Sequence, residues 1–181
     1  MKRWLLFFLI VSLLLFSFAF AEEKEILAGV AFGTVNEEIL FPVSRNGLDY
    51  TMKVHVDDFY RGSAYTNLVG IHALTAKPGN ECMAVKVTIK FESIDRIDKS
   101  ILGTADPEIV VHYLAKFDAL SCVGEDYGFV YSILGMEELD ACLHVGESAT
   151  GYLQFEVSKD DPAPLLVYKP ELDHQLYIEL R

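Results

Sequence analysis

Basic residues are scarce in this chain. Its 181 residues carry 15 Lys and Arg against 27 Asp and Glu, a net charge of −12 at pH 7. So acidic a surface repels nucleic acid and anionic lipid, both of which are held by clustered Lys and Arg. Cysteine is scarce too, with only Cys82, Cys122 and Cys142. Sequence signatures of catalysis and metal binding are missing. There is no His-Glu-x-x-His pair, no Cys/His zinc spacing and no Gly-x-Ser-x-Gly elbow, which removes the common marks of zinc sites and of serine nucleophiles. The five histidines, His55, His72, His112, His144 and His174, stand singly. Acidic pairs such as Asp57-Asp58 and Asp160-Asp161 lack the alternating carboxylates and central glycine of a calcium loop, and Asp160-Asp161-Pro162 reads as turn chemistry. No catalytic residue, metal ligand or cofactor is assigned on these grounds. Internal repeats, low-complexity segments and a long helical period are also missing.

Long apolar runs are confined to the start. Met1-Lys2-Arg3 precedes an apolar stretch from Trp4 to Phe18, followed by Ala19-Phe20-Ala21. A short basic start, an apolar run and an A-x-A site describe a secretory signal peptide over residues 1–21, cleaved after Ala21. The other reading is an uncleaved membrane anchor, since Trp4 to Ala21 nearly reaches spanning length; Ser12, Ser17 and the cleavage site favour removal. Residues 22–181 then form one domain in a secreted or extracytoplasmic setting. The leader holds two basic residues and no acidic one, so the remainder has 13 basic and 27 acidic residues, a net −14. Export permits disulfides. Cys122 and Cys142 flank one loop, and a bridge between them closes about 20 residues, worth on the order of 3 kcal/mol. The alternative leaves all three thiols reduced.

What the chain has in abundance is alternation. Leu48, Tyr50, Met52, Val54 and Val56 alternate with Asp49, Thr51, Lys53, His55 and Asp57. Met83 to Phe91, Gly151 to Val157 and Leu176 to Leu180 repeat the pattern, which places apolar side chains on one strand face and polar ones on the other. Asn46-Gly47 is a hairpin turn signal, and Pro42 marks Ile39 to Arg45 as an edge strand because proline cannot donate to a ladder. Residues 26–34 make a first strand, 109–118 a further strand and 165–168 a short one. A short strand is expected over 70–76 and a short helix over 136–142. Strands with turns between them predict an all-β antiparallel sandwich.

Three stretches carry a family likeness. Pro78-Gly79-Asn80 leads into Met83 to Lys90; Val145-Gly146-Glu147-Ser148 runs through Thr150-Gly151-Tyr152 to Phe155-Glu156-Val157-Ser158-Lys159-Asp160; and Leu165-Leu166-Val167-Tyr168-Lys169-Pro170 follows. Over Leu48 to Leu180 the chain resembles a bacterial exported domain-of-unknown-function family, grouped with the mycobacterial secreted immunoprotective antigen. The resemblance implies an Ig-like β-sandwich outside the cytoplasm and no catalytic residues. Phe91 stands where the family usually has asparagine, and the lipid-bearing cysteine of many members is missing.

The long connection from Asp57 to Asn80 holds Phe59-Tyr60-Arg61-Gly62-Ser63-Ala64-Tyr65. Aromatics beside arginine are the composition of recognition surfaces, so Tyr60, Arg61 and Tyr65 are the candidate binding residues. A purely structural role, with Phe59 and Tyr65 tucked into the end of the sandwich, competes with that reading. The expected function is an exported non-enzymatic module binding a protein or a cell-envelope component. An envelope-directed hydrolase of sugar or peptide is one alternative, and a structural, antigen-like surface protein is another.

Overall fold

In the computed structural model the alternating segments pair into two stacked sheets. The structure describes residues 30–102, 107–112 and 116–181. The expected leader, its cleavage site and positions 26–29 of the first strand lie outside the described residues. In chain order the elements are β1 (Val30–Thr34), β2 (Glu38–Arg45), β3 (Leu48–Arg61), α1 (Gly62–Val69), a 3₁₀ turn (Gly70–His72), β4 (Asn80–Ile97) and α2 (Lys99–Leu102). There follow β5 (Ile109–His112), β6 (Phe117–Leu120), β7 (Asp126–Gly128), β8 (Tyr131–Ser132), β9 (Asp140–Leu143), β10 (Ser148–Ser158), β11 (Leu165–Glu171) and β12 (His174–Glu179). One sheet has the order β1-β12-β11-β6-β7, the other β2-β3-β4-β10-β8, and β5 pairs with β9 in a separate ribbon. Among the described pairs only β1 with β12 is parallel; the expected antiparallel sandwich is therefore mixed at one edge.

Local sequence explains the pairings. Asn46 and Gly47 both adopt positive φ, 42° and 84°, as the two-residue turn between twisted strands requires. Pro42 lies on β2, at the edge of its sheet, where its missing N–H leaves no gap in a ladder. Inward residues of β3, β4 and β10, among them Met52, Val54, Val85, Ile89, Leu153 and Phe155, are fully buried. They pack against Leu166, Tyr168, Leu176 and Ile178 of the facing sheet in one apolar layer. Tyr50 and Phe91 meet edge-to-face within it, ring centroids 5.6 Å apart, a favoured aromatic geometry.

Four expectations are corrected. Positions 109–118 do not form one strand: β5 joins β9 while β6 enters the sheet beside β11. The alternation of Ile109, Val111 and Phe117 is real, because all three are buried, but burial alone cannot say against which partner. Val110 on the other face is half exposed. Positions 70–76 and 136–142 exchange roles with the expectation: the first holds a 3₁₀ turn, and the second ends in β9 instead of a helix. Finally, Cys122 and Cys142 are not bridged, and all three cysteines are free. Cys122 follows β6 in the turn to β7, whereas Cys142 sits in the β5–β9 ribbon. Adjacency to one loop in sequence did not place them on one element in space.

The connection after β3 is no loose loop. β3 continues to Arg61, α1 follows, and the chain lies back across the outer face of β4 and β10 as a strap. Tyr65 and Val69 of α1 bury themselves with Cys82, Ala84 and Ile133 in a second, smaller apolar layer. This is possible because β4 and β10 present Cys82, Ala84 and Tyr152 outward here. Further along, the same face carries Lys86, Thr88 and Lys90 and stays open to water.

Candidate functional site

The residues nominated from sequence lie at the end of β3 and at the start of the strap, and they are occupied by the fold. Tyr65 is only 3% exposed. Its hydroxyl donates to Gln154 Oε1 at 2.7 Å and accepts the Leu74 N–H at 2.8 Å, and burial pushes its pKa up. Arg61 donates from Nε to Glu81 Oε1 at 2.8 Å and from Nη1 to the Asp161 carbonyl at 2.8 Å. Tyr60 packs at the margin of the same apolar layer. Tyr60 and Arg61 lie in β3, paired with Ala84 and Met83 of β4. The three share a neighbourhood, but not an open surface.

The open surface lies beside them. Where the strap's trailing segment passes the β7–β8 crossover, a cleft of about 450 Å³ opens. Leu74, Thr75 and Lys77 form one wall, and Tyr127, Gly128, Phe129 and Tyr131 the other. Its floor is the cross-strand pair Cys82 and Glu156. Phe129 is 75% exposed and Tyr131 44%. Their ring centroids stand 6.3 Å apart with planes inclined at 58°.

Each wall is pinned. Glu156 Oε1 accepts the Lys77 N–H at 3.1 Å and Asn80 Nδ2 at 2.6 Å, and the Asn80 bond is the main reason its carboxyl is held below the ordinary value. On the aromatic side, the Tyr127 hydroxyl donates to Asp161 Oδ2 at 2.6 Å. Burial, with that bond second, pushes the Tyr127 phenol up to about 12. Asp161 also accepts the N–H of Ala163 on Oδ1 and that of Cys122 on Oδ2. Burial opposes its ionisation, but the hydrogen bonds from Tyr127, Ala163 and Cys122 outweigh it and hold the carboxyl below the usual range. The turn chemistry read from Asp160-Asp161-Pro162 is thus real, and it also ties the β6–β7 turn and the start of the strap together. Cys82 closes the floor with its thiol against the Leu74 carbonyl at 3.5 Å, and burial pushes the thiol pKa up.

Sequence reasoning reached one wall and missed the other. Leu74, Thr75 and Lys77 belong to the long connection it singled out. Tyr127, Phe129 and Tyr131 lie outside it, along the β7–β8 crossover. Their signal was an aromatic at every second position in a segment bounded by Gly124 and Gly135, too short to be a core strand.

A second cleft, of about 280 Å³, lies on the polar part of the same sheet face, lined by Glu38, Lys53, His55, Asp57, Thr88 and Lys90 among others. A histidine and carboxylates converge here, as the hydrolase alternative requires. The connectivity is wrong for a nucleophile–base relay, in which the hydroxyl must bond the imidazole. Thr88 Oγ1 instead donates to Asp57 Oδ2 at 2.9 Å, while His55 places Nε2 3.6 Å from Asp57 Oδ1 and Nδ1 3.2 Å from the Glu37 carbonyl. Lys53 pairs with Glu38 at 2.8 Å and Lys90 with Glu92 at 2.8 Å. The cluster neutralises itself. Among the described residues no group of three His, Cys, Asp or Glu is placed to hold a metal ion.

No family model matches the chain, and no curated protein matches it. Solved structures do, and the two stacked sheets of this chain place it among the β-sandwiches. The secreted protein MPT63 of Mycobacterium tuberculosis superposes with a TM-score of 0.50 at 16% identity, over 82% of this chain and 95% of that one. The yjhA protein of Bacillus subtilis gives 0.48 at 14% identity over 82% and 99%. An uncharacterised β-sandwich protein of Clostridium difficile gives 0.40 at 11% over 83% and 94%. The resemblance to the mycobacterial antigen seen in the sequence is thereby matched at the level of fold.

Proposed function

We propose that this protein is an exported, non-enzymatic β-sandwich module that binds a protein or cell-envelope ligand through the aromatic cleft. One observation carries the reading: Phe129 and Tyr131 stand exposed and side by side, in a wall braced by Asp161, opposite a strap pinned by Glu156. Large aromatics bury well, and leaving two of them in water beside a mixed polar rim is the composition of binding sites. Export rests on the leader at residues 1–21, cleaved after Ala21. A released, acidic chain needs a dedicated contact to stay near the envelope.

Co-sedimentation with isolated cell envelopes tests this. The purified protein is expected in the pellet, and a Phe129→Ala/Tyr131→Ala double variant in the supernatant. Phe129 is mostly exposed and Tyr131 nearly half exposed, so the variant's melting curve should lie close to that of the parent. Equal partition of the two proteins overturns the role of the cleft. N-terminal sequencing of the extracellular protein should begin at Glu22; finding the leader intact in the cytosol overturns export.

A further inference from the structure

We infer that the cleft between the strap and the β7–β8 crossover takes a neutral oligosaccharide, laid across Phe129 and Tyr131. The inference rests on the binding reading above and names the ligand's chemistry. The two rings are flat, apolar and open, and the 58° between their planes makes a shallow trough. A pyranose presents a face of C–H groups, weakly positive at hydrogen, which matches the negative face of an aromatic ring. Its edges present hydroxyls, each able to donate and accept.

The rim supplies their partners. Glu156 uses Oε1 to hold the strap, and its carboxylate, which lines the cleft, has acceptor capacity to spare. Lys77, beside Glu156 on the strap, brings an ammonium donor, and the Thr75 hydroxyl can donate or accept. One ammonium and one carboxylate leave the site without net sign. That disfavours a polyanion, which the −14 surface also repels, and it disfavours a cation, which Lys77 opposes. The floor is closed by the buried Cys82 thiol, so a ligand lies along the trough and is not engulfed. A peptide is the weaker fit. Peptides commonly bind by adding a strand to a free edge, and here the edges on offer, β7 and β8, are three and two residues long.

A printed array of neutral oligosaccharides tests this, with sialylated and sulfated glycans and a peptide array alongside. Neutral glycans should be retained. Phe129→Ala and Tyr131→Ala should each weaken that retention at least tenfold, and Glu156→Gln severalfold. Phe129→Trp should preserve it, because a larger flat ring is kept. Perturbed amide resonances on titration with a retained glycan should cluster at 74–82 and 127–131. Retention of no neutral glycan, of anionic glycans only, of peptides only, or equal retention by the alanine variants each overturns the inference. Envelope binding that depends on the cleft, with an empty neutral-glycan array, would sink the ligand class while leaving the binding reading standing.

Discussion

The molecule has two apolar layers, and they are built by different rules. The interior between the sheets is made from alternating strand residues that meet from both sides, such as Val85, Ile89 and Phe155 against Leu166 and Ile178. The layer under the strap is made from a short helix laid on the outside of one sheet, with Tyr65 and Val69 against Cys82, Ala84 and Ile133. The first is held by area removed from water. The second is small, and polar ties hold it down: Tyr65 to Gln154 and Leu74, Arg61 to Glu81 and Asp161. The strap is therefore expected to open before the sheets beneath it, and the candidate site lies along its margin.

The sharpest way to break the interior is Gly151→Ala. A Cβ there would stand 2.3 Å from the Leu139 backbone nitrogen, so the segment whose Glu137 carbonyl accepts the Tyr152 N–H must move. A loss of about 2–3 kcal/mol is expected for such overpacking, read as a lower midpoint in urea unfolding.

Asp161 sits at the seam, and Asp161→Asn should cost about 1–2 kcal/mol near neutral pH through its weakened hydrogen bonds. The pH dependence gives the sign. The native carboxyl is held below its ordinary value of 3.8, so the stability it contributes is complete above that value and is lost as the pH falls through its lower native value. Thermal melts from pH 6 down to pH 2 should show the variant and the parent converging at the acid end; parallel curves would remove Asp161 from the account.

Tyr65→Phe tests the strap alone. It keeps the ring and deletes the two hydrogen bonds, so local opening should become easier by about 1–2 kcal/mol. Hydrogen exchange should speed up at 65–76 while β4 and β10 keep their protection. A uniform change across the molecule would mean that the two layers unfold as one. The smallest effect is expected at Tyr50→Phe. The Tyr50 hydroxyl is buried without a hydrogen-bond partner, so its removal should leave stability unchanged or raise it by up to about 1 kcal/mol, unlike most core substitutions.

The same contrast explains what could be read from the sequence. The interior was legible because period two is written into Leu48 to Val56, Met83 to Phe91 and Gly151 to Val157, and nothing else satisfies it. The strap was not. Gly62-Ser63-Ala64-Tyr65-Thr66-Asn67-Leu68-Val69 holds glycine, asparagine and β-branched residues, and Arg61 at its N-terminus makes no side-chain capping bond. Local propensity is against that helix, and burial of Tyr65 and Val69 against the sheet decides it. The site shared this fate. Its aromatic wall was visible as residues, but only the crossover from one sheet to the other brings Phe129 and Tyr131 opposite Lys77. The break between β5 and β6 was equally hidden, since an inward-facing residue gives the same pattern whichever sheet it joins.

The parallel pairing of β1 with β12 has a consequence for the order of assembly. Thr34 is matched with Glu179, so the earliest described strand has its partner only once β12 has been made. A nascent chain that still lacks β12 cannot complete this edge. Deletion of β12 should leave β1 as a dangling thread, open to proteases that ignore the intact fold.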